Sequence, residues 1–116
     1  MVEVKFHESV DDNLLKFAVI ISRSNGKWVF CKHRERDTYE VPGGHREANE
    51  TILETAKREL REETGAVDFE IKPICVYSVK GKTRINENID DETFGMLFIA
   101  NVFSFEEINS EIEKII

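Results

Sequence analysis

Between Gly44 and Ala66 the chain sets glycine and charged residues at spacings that a helix alone does not require. They are Gly44, Glu50, Arg58, Glu59, Glu62, Glu63 and Gly65, with apolar Leu60 inside the run. Glu59, Glu62 and Glu63 stand at i, i+3 and i+4, so on a helix they converge on one stripe. Three like charges this close repel one another unless a cation sits among them. Directly after Pro42-Gly43-Gly44, such a concentration of carboxylates reads as a divalent-metal site. A Glu/Arg-rich helix by itself is a solvated face, Arg58 alone a surface ion pair and Gly65 alone a helix stop. It is their combination with Gly44 and Glu50 that points to chemistry.

The helix that must carry these residues starts near Thr51. Thr51 and Glu54 have the spacing of a capping box, and Ile52, Leu53, Ala56 and Leu60 form an apolar stripe at helical period. Gly65 supplies the stop. At about 100° per residue, Glu59 and Glu63 fall beside the apolar stripe and Glu62 lies further round. The carboxylates therefore belong on the rim where the helix meets a sheet.

The sheet is read from its own patterns. Leu14 to Ser22 reads as a strand, Asn25-Gly26 as a type I′ hairpin turn, and Lys27 to His33 as the returning strand. Its two faces would hold Trp28, Phe30 and Lys32 against Val29, Cys31 and His33. Arg34 to Asp37 is a charged loop, Tyr39 to Val41 a short strand, and Pro42-Gly43-Gly44 loop chemistry. Phe69 to Val79 gives one or two strands, and Gly81 to Asp91 is a polar loop. Phe94 to Phe103 is apolar on both alternating sets, as in a strand buried on both faces. Ser104 and Glu107 would cap a short last helix, or Ile112 to Ile116 would start another strand. The chain stops on an apolar Lys114-Ile115-Ile116 with no stop signal.

At 116 residues the sequence implies one domain over 1–116. The balance of 16 basic and 23 acidic residues gives a net charge of −7. That argues against a DNA duplex or an anionic membrane as partner, since either selects a basic patch. A small anionic ligand held through metal ions stays compatible. Cys31 and Cys75 sit in apolar runs without ligand spacing and read as buried reduced thiols. With no signal-peptide order at the N-terminus and Phe17 to Ile21 as the longest apolar run, a soluble cytoplasmic protein is expected, monomeric or homodimeric.

The segment GHREANETILETAKRELREETGA resembles the Nudix box, the signature of Nudix hydrolases. That pattern is Gly, five residues, Glu, seven residues, Arg-Glu, an apolar residue, any residue, Glu-Glu, any residue, Gly and an apolar residue. Every defined position matches, with Ala66 where a larger aliphatic is usual, and Tyr39-Glu40-Val41-Pro42-Gly43-Gly44 extends the likeness upstream. The resemblance implies an α/β fold, the Nudix α/β/α sandwich with a mixed sheet and the catalytic helix on one side. Against that fold, the apolar ending Lys114-Ile115-Ile116 with no stop signal leads to the expectation that the family's last elements are shortened or missing here.

The activity implied is Mg²⁺-dependent hydrolysis of a nucleoside diphosphate linked to another moiety, X, with Mn²⁺ as a substitute ion. Divalent ions neutralise phosphate oxygens that otherwise repel a nucleophile, and they lower the pKa of water. By the resemblance Glu59, Glu62 and Glu63 are metal ligands, joined by a backbone carbonyl of Gly43 or Gly44, and Glu59 or Glu63 also positions water. Arg58 orients the carboxylates, and Glu50 acts behind them or as an occasional ligand. The two glycines let the backbone approach metal and phosphates. Asn49 stands where the family usually has glycine and can adopt the same positive φ.

Outside the box the reading is thinner. Arg34 and Arg36 are the expected phosphate contacts. Arg46 either stands in for an apolar residue or reaches a phosphate, while His45 reads as a loop residue. Tyr39, Phe94 and Phe98 are core aromatics by default and base-stacking candidates otherwise. Asp90, Asp91, Glu92, Glu107 and Glu111 are candidates for an auxiliary acid. Among Nudix branches the chain is similar to bacterial nucleoside triphosphate diphosphatases that sanitise oxidised dGTP. RNA 5′-pyrophosphohydrolase, ADP-sugar pyrophosphatase and non-catalytic nucleotide-binding modules are the alternatives.

Overall fold

Five residues near the N-terminus, Glu3–His7 (β1), form a strand that the charged and apolar mixture EVKFH does not announce. They are paired antiparallel to the distant Ala66–Lys80 strand (β6), Phe6 lying opposite Tyr77. The computed structural model describes residues 2–8, 10–33, 38–81, 91–106 and 112–115. Its other strands are Leu15–Ser24 (β2), Lys27–Val29 (β3), Cys31–His33 (β4), Gly43–His45 (β5), Glu92–Phe105 (β7) and Ile112–Ile115 (β8). The main sheet runs β1-β6-β7-β2-β3, with β5 also paired to β2. The β2–β7 pairing is parallel and the others antiparallel, so the sheet is mixed.

One α-helix, Ile52–Thr64 (α1), is described, and it covers one face of this sheet. Its start is fixed by the expected capping box: the Glu54 N–H donates to the Thr51 hydroxyl at 3.1 Å, and the Thr51 N–H to the Glu54 carboxylate at 2.8 Å. Gly65 ends it at φ 77°, a left-handed value that a side chain would strain. Ile52, Ala56 and Leu60 pack with Ala18, Ile20, Phe98, Ala100 and Val102 into the core. Leu60 is completely buried, and truncating it to Ala costs about 2–5 kcal/mol by loss of transfer energy and creation of a cavity. This packing fixes how far α1 stands from the sheet edge, and hence the reach of its carboxylates.

The mixed α/β architecture is the one the resemblance implies; of a sandwich's two helical layers the described residues supply one. The Asn25-Gly26 turn has both residues at positive φ, 52° and 77°, as a type I′ hairpin needs.

Four local expectations are corrected. Lys27 to His33 is two strands, because Val29 continues the main sheet opposite Ser22 while Cys31–His33 turns away to pair with β8. Tyr39 to Val41 is not a strand; Glu40 makes a single bridge to Cys31, and the strand that follows is Gly43–His45, laid against Phe17–Val19. In β7 only one alternating set, with Phe98, Ala100 and Val102, belongs to the core, while Leu97 and Ile99 on the other face are half-buried. Ser104 lies inside β7 and so caps no helix, and the alternative strand exists as β8.

Candidate active site

The site begins with two glycines on an edge strand. In β5, Gly43 pairs with Val19 and Gly44 with Ala18, and α1 lies across this edge. A Cβ on Gly44 would fall 2.5 to 2.7 Å from the carboxyl carbon and both oxygens of Glu59. A Cβ on Gly43 would fall 2.6 Å from the Ala18 carbonyl oxygen. Neither position accepts a side chain without something moving, the Ala18 backbone at Gly43 and the end of the Glu59 side chain at Gly44. Glycine is therefore favoured here by close approach, not by loop flexibility. The freed backbone is used: the Gly43 N–H donates to Glu63 Oε1 at 2.7 Å.

Arg58 gathers the carboxylates. Its Nε and Nη2 donate to the two oxygens of Glu50 at 2.7 and 3.1 Å, a two-pronged pairing. Nη1 donates to Glu59 Oε1 at 2.6 Å, and Nη2 to the His45 carbonyl at 3.0 Å. Glu62 Oε2 at 3.4 Å and Glu47 Oε1 at 3.5 Å sit more loosely around Nη1. Glu50 receives two further donors, the Thr55 hydroxyl at 2.9 Å and the Glu47 N–H at 3.0 Å.

The electrostatics follow from these contacts. The Arg58 hydrogen bond, reinforced by the Glu47 backbone, holds the Glu50 carboxyl down at about 2. Arg58 is raised correspondingly, chiefly by Glu50. Glu59 goes the other way, pushed up to about 7 by burial against the opposing hydrogen bond from Arg58, with the charges of Glu63 and Glu62 adding to the rise. Glu63 is 8 % exposed, whereas the Glu62 side chain is 58 % exposed. The helical-wheel expectation is met: two carboxylates at the rim of the core and one further round.

As these side chains stand, no three His, Cys, Asp or Glu residues among those described are gathered closely enough to hold an ion. The guanidinium of Arg58 is the cation between Glu59 and Glu62 instead. The donor chemistry nonetheless fits a divalent cation. Glu59, Glu62 and Glu63 offer hard oxygens from one helix, and Glu59 is buried where its negative charge is disfavoured even with Arg58 beside it. Gly44 leaves the space in front of that carboxylate free of a side chain.

Arg34 and Arg36 lie outside the described residues, as do Asp90, Glu107 and Glu111. Arg46 is engaged structurally: it donates to the carbonyls of Glu50 (2.7 Å), Leu15 (3.2 Å) and Asp12, and its Nη2 pairs with the Asp12 carboxylate at 2.7 Å. Asn49 has φ 66°, as expected of a glycine substitute. Phe98 is core, but Tyr39 is exposed, which overturns core packing as its default. Glu92 accepts from the Ser78 hydroxyl at 2.9 Å. Thr55 and the backbone of Glu47 were missed as supports of Glu50. The signal for Thr55 was its place one turn before Glu59 on the same face of α1.

Comparison with known proteins agrees with this geometry. The NUDIX domain family model matches residues 12–113. A Bacillus subtilis (strain 168) protein, YtkD, provisionally named as an 8-oxo-dGTP diphosphatase, is 37% identical over 84 residues, 72% of this chain and 52% of YtkD. An RNA pyrophosphohydrolase of Halorhodospira halophila is 40% identical over 47 residues, 40% of this chain and 26% of that protein. The chain thus spans about half of the first relative and about a quarter of the second. The crystal structure of a point mutant of the Bacillus subtilis pyrophosphohydrolase BsRppH superposes with a TM-score of 0.79 at 28% identity, covering 99% of this chain and 69% of that one. With the family model spanning most of its length and the box residues assembled at one sheet edge, the chain belongs to the Nudix hydrolase family.

Proposed function

We propose that the chain hydrolyses nucleoside diphosphates linked to X, foremost nucleoside triphosphates, releasing a nucleoside monophosphate and pyrophosphate. Oxidised substrates such as 8-oxo-dGTP are included. The observation that carries this reading is the Arg58 clamp, which holds Glu50 and Glu59 at the β5 edge, where Gly43 donates to Glu63. Similarity to YtkD favours the triphosphate substrate.

Glu59, Glu62, Glu63 and the Gly44 carbonyl are the proposed ligands of Mg²⁺, with Mn²⁺ as substitute. When bound, the ion neutralises diphosphate oxygens and lowers the pKa of the attacking water. Glu59 or Glu63 is the proposed group that would position the water and take up its proton, a role supported by carboxylates that sit at the rim and not in bulk solvent. Arg58 keeps Glu59 oriented. Glu50 serves as the anchor for Arg58, its oxygens being taken up by four donors. Arg34, Arg36 and the backbone of Gly43 and Gly44 are the proposed phosphate contacts.

A second reading, removal of pyrophosphate from the 5′ end of RNA, is favoured by the similarity to the Halorhodospira halophila RNA pyrophosphohydrolase over 47 residues. A non-catalytic module is disfavoured because every carboxylate of the box is kept.

The test is a screen of the purified chain with Mg²⁺ against 8-oxo-dGTP, dGTP, ADP-ribose and 5′-triphosphorylated RNA, following pyrophosphate and phosphate release. Turnover of the nucleotides above the RNA is expected. Binding without turnover of any substrate would sink the enzymatic reading.

A further inference from the structure

The edge of the main sheet furthest from the catalytic carboxylates carries a self-complementary strand. β1 pairs through one side with β6, and no described residue pairs with its other side. An open edge is a template for another strand, and soluble proteins usually blunt it with proline, a bulge or charged side chains. Of these β1 carries only charges, one of each sign in Glu3 and Lys5. β1 has no proline, and its register with β6 runs without a shift. Val2, Val4 and Phe6 alternate onto one face and stay 48%, 53% and 74% exposed. Glu3 and Lys5 alternate onto the other.

The order of these residues specifies a partner. When two copies of β1 run antiparallel about a twofold axis at Val4, Glu3 of each meets Lys5 of the other. Val4 meets Val4, and Phe6 meets Val2. Both Glu–Lys pairs are attractive, and the exposed apolar residues meet on the opposite face. A register moved by one step in each direction, with Glu3 facing Glu3 or Lys5 facing Lys5, sets like charges against each other.

We propose that β1 is a homodimerisation edge, joining two copies into one continuous sheet through antiparallel β1–β1 pairing centred on Val4. The interface of two identical patches is the isologous kind that closes on itself. A strand pair this short buries little surface, so the dimer is weak and concentration-dependent. β6 and β7 separate β1 from β2, on whose far side β5 and its carboxylates lie. Both sites therefore face away from the dimer axis.

Sedimentation equilibrium of the full chain tests this with charge reversals. Wild type is expected to self-associate reversibly. Glu3→Lys and Lys5→Glu, each alone, place like charges opposite one another twice and should weaken association about tenfold or more. Mixed one to one, the two variants regain complementary pairs and should associate as wild type does. A variant that merely misfolds would not be rescued by mixing. A wild type that stays monomeric at about millimolar concentration overturns the proposal. So do single variants that associate like wild type, or a mixture that stays as weak as its components. Turnover per chain is not part of this readout, so the catalytic reading and the dimer stand or fall separately.

Discussion

Gly44 and Glu59 occupy one another's space: a methyl group on the first would sit 2.5 Å from the carboxyl carbon of the second. The strand glycine and the helical glutamate are a matched pair, since the carboxylate can lie against the β5 backbone only where no Cβ exists. This gives the spacing from the Pro-Gly-Gly segment to the Arg-Glu of α1 a physical reason within this fold.

The neighbouring glycines should therefore fail differently when mutated. In Gly44→Ala the obstructing group is the movable end of a side chain, so stability should change by less than about 1 kcal/mol. Displacing Glu59 should cut kcat about 100-fold. In Gly43→Ala the obstruction is the Ala18 backbone, and destabilisation of about 1–3 kcal/mol is expected. Chemical denaturation beside steady-state kinetics separates the two. Equal stability losses would count against the pairing of Gly44 with Glu59.

Arg58 should act by positioning. Arg58→Lys keeps a positive charge but cannot reproduce the two-pronged contact with Glu50 together with the one to Glu59. Activity should fall about 100-fold, and the carboxyl of Glu50 should rise from its depressed value. NMR titration of the Glu50 side chain reports the second effect, and an unchanged titration would remove Arg58 from its anchoring role.

Two opposite pH dependences are built into the metal-free protein. Glu59 is raised to about 7, above its unfolded value near 4.5. The folded state thus binds its proton more tightly, and the associated stability is full below about pH 4.5 and lost as pH rises through about 7. Glu50 is depressed to about 2, so its contribution is present above about pH 4.5 and lost as pH falls towards 2. Thermal melts from pH 3 to 9 should show the first loss vanish in Glu59→Gln. Mg²⁺ should stabilise wild type more at pH 8 than at pH 5, because its ligands must be deprotonated. A Mg²⁺ effect independent of pH would contradict Glu59 as a ligand.

The cap of α1 offers a control away from the chemistry. Thr51→Ala removes the acceptor for the Glu54 N–H and should cost about 1 kcal/mol of stability. KM should not move. A large rise in KM would show that the helix start is coupled to the substrate site.

What could be read from the sequence was whatever local chemistry decides. Thr51, Glu54 and Gly65 set the helix ends, Asn25-Gly26 the hairpin and Asn49 its positive φ, because each choice is made within a few residues. Glu59, Glu62 and Glu63 were placed around the helix by its period alone. The strands β1 and β5 were not legible for the converse reason. β1 exists through partners such as Tyr77, far along the chain, and Gly43–His45 is a strand only because β2 and α1 flank it. Its glycines are poor strand formers that tertiary contact overrides. Tyr39 was read as core because aromatics usually are, yet its segment makes one bridge and leaves it exposed. The Arg58 clamp was legible in part, since Glu50 lies outside α1 and only the fold brings it to the guanidinium.

The proposed chemistry depends on the carboxylates of α1 holding the cation needed to cleave a diphosphate. Pyrophosphate release from 8-oxo-dGTP, with and without Mg²⁺, by wild type and Glu62→Gln, reads this dependence without an intermediate step. Glu62 is largely solvent-exposed, so the substitution should leave the unfolding midpoint unchanged. Mg²⁺-dependent turnover is expected in wild type, with a loss of at least about 100-fold in the variant. Wild-type turnover retained by a folded Glu62→Gln protein would contradict the assignment.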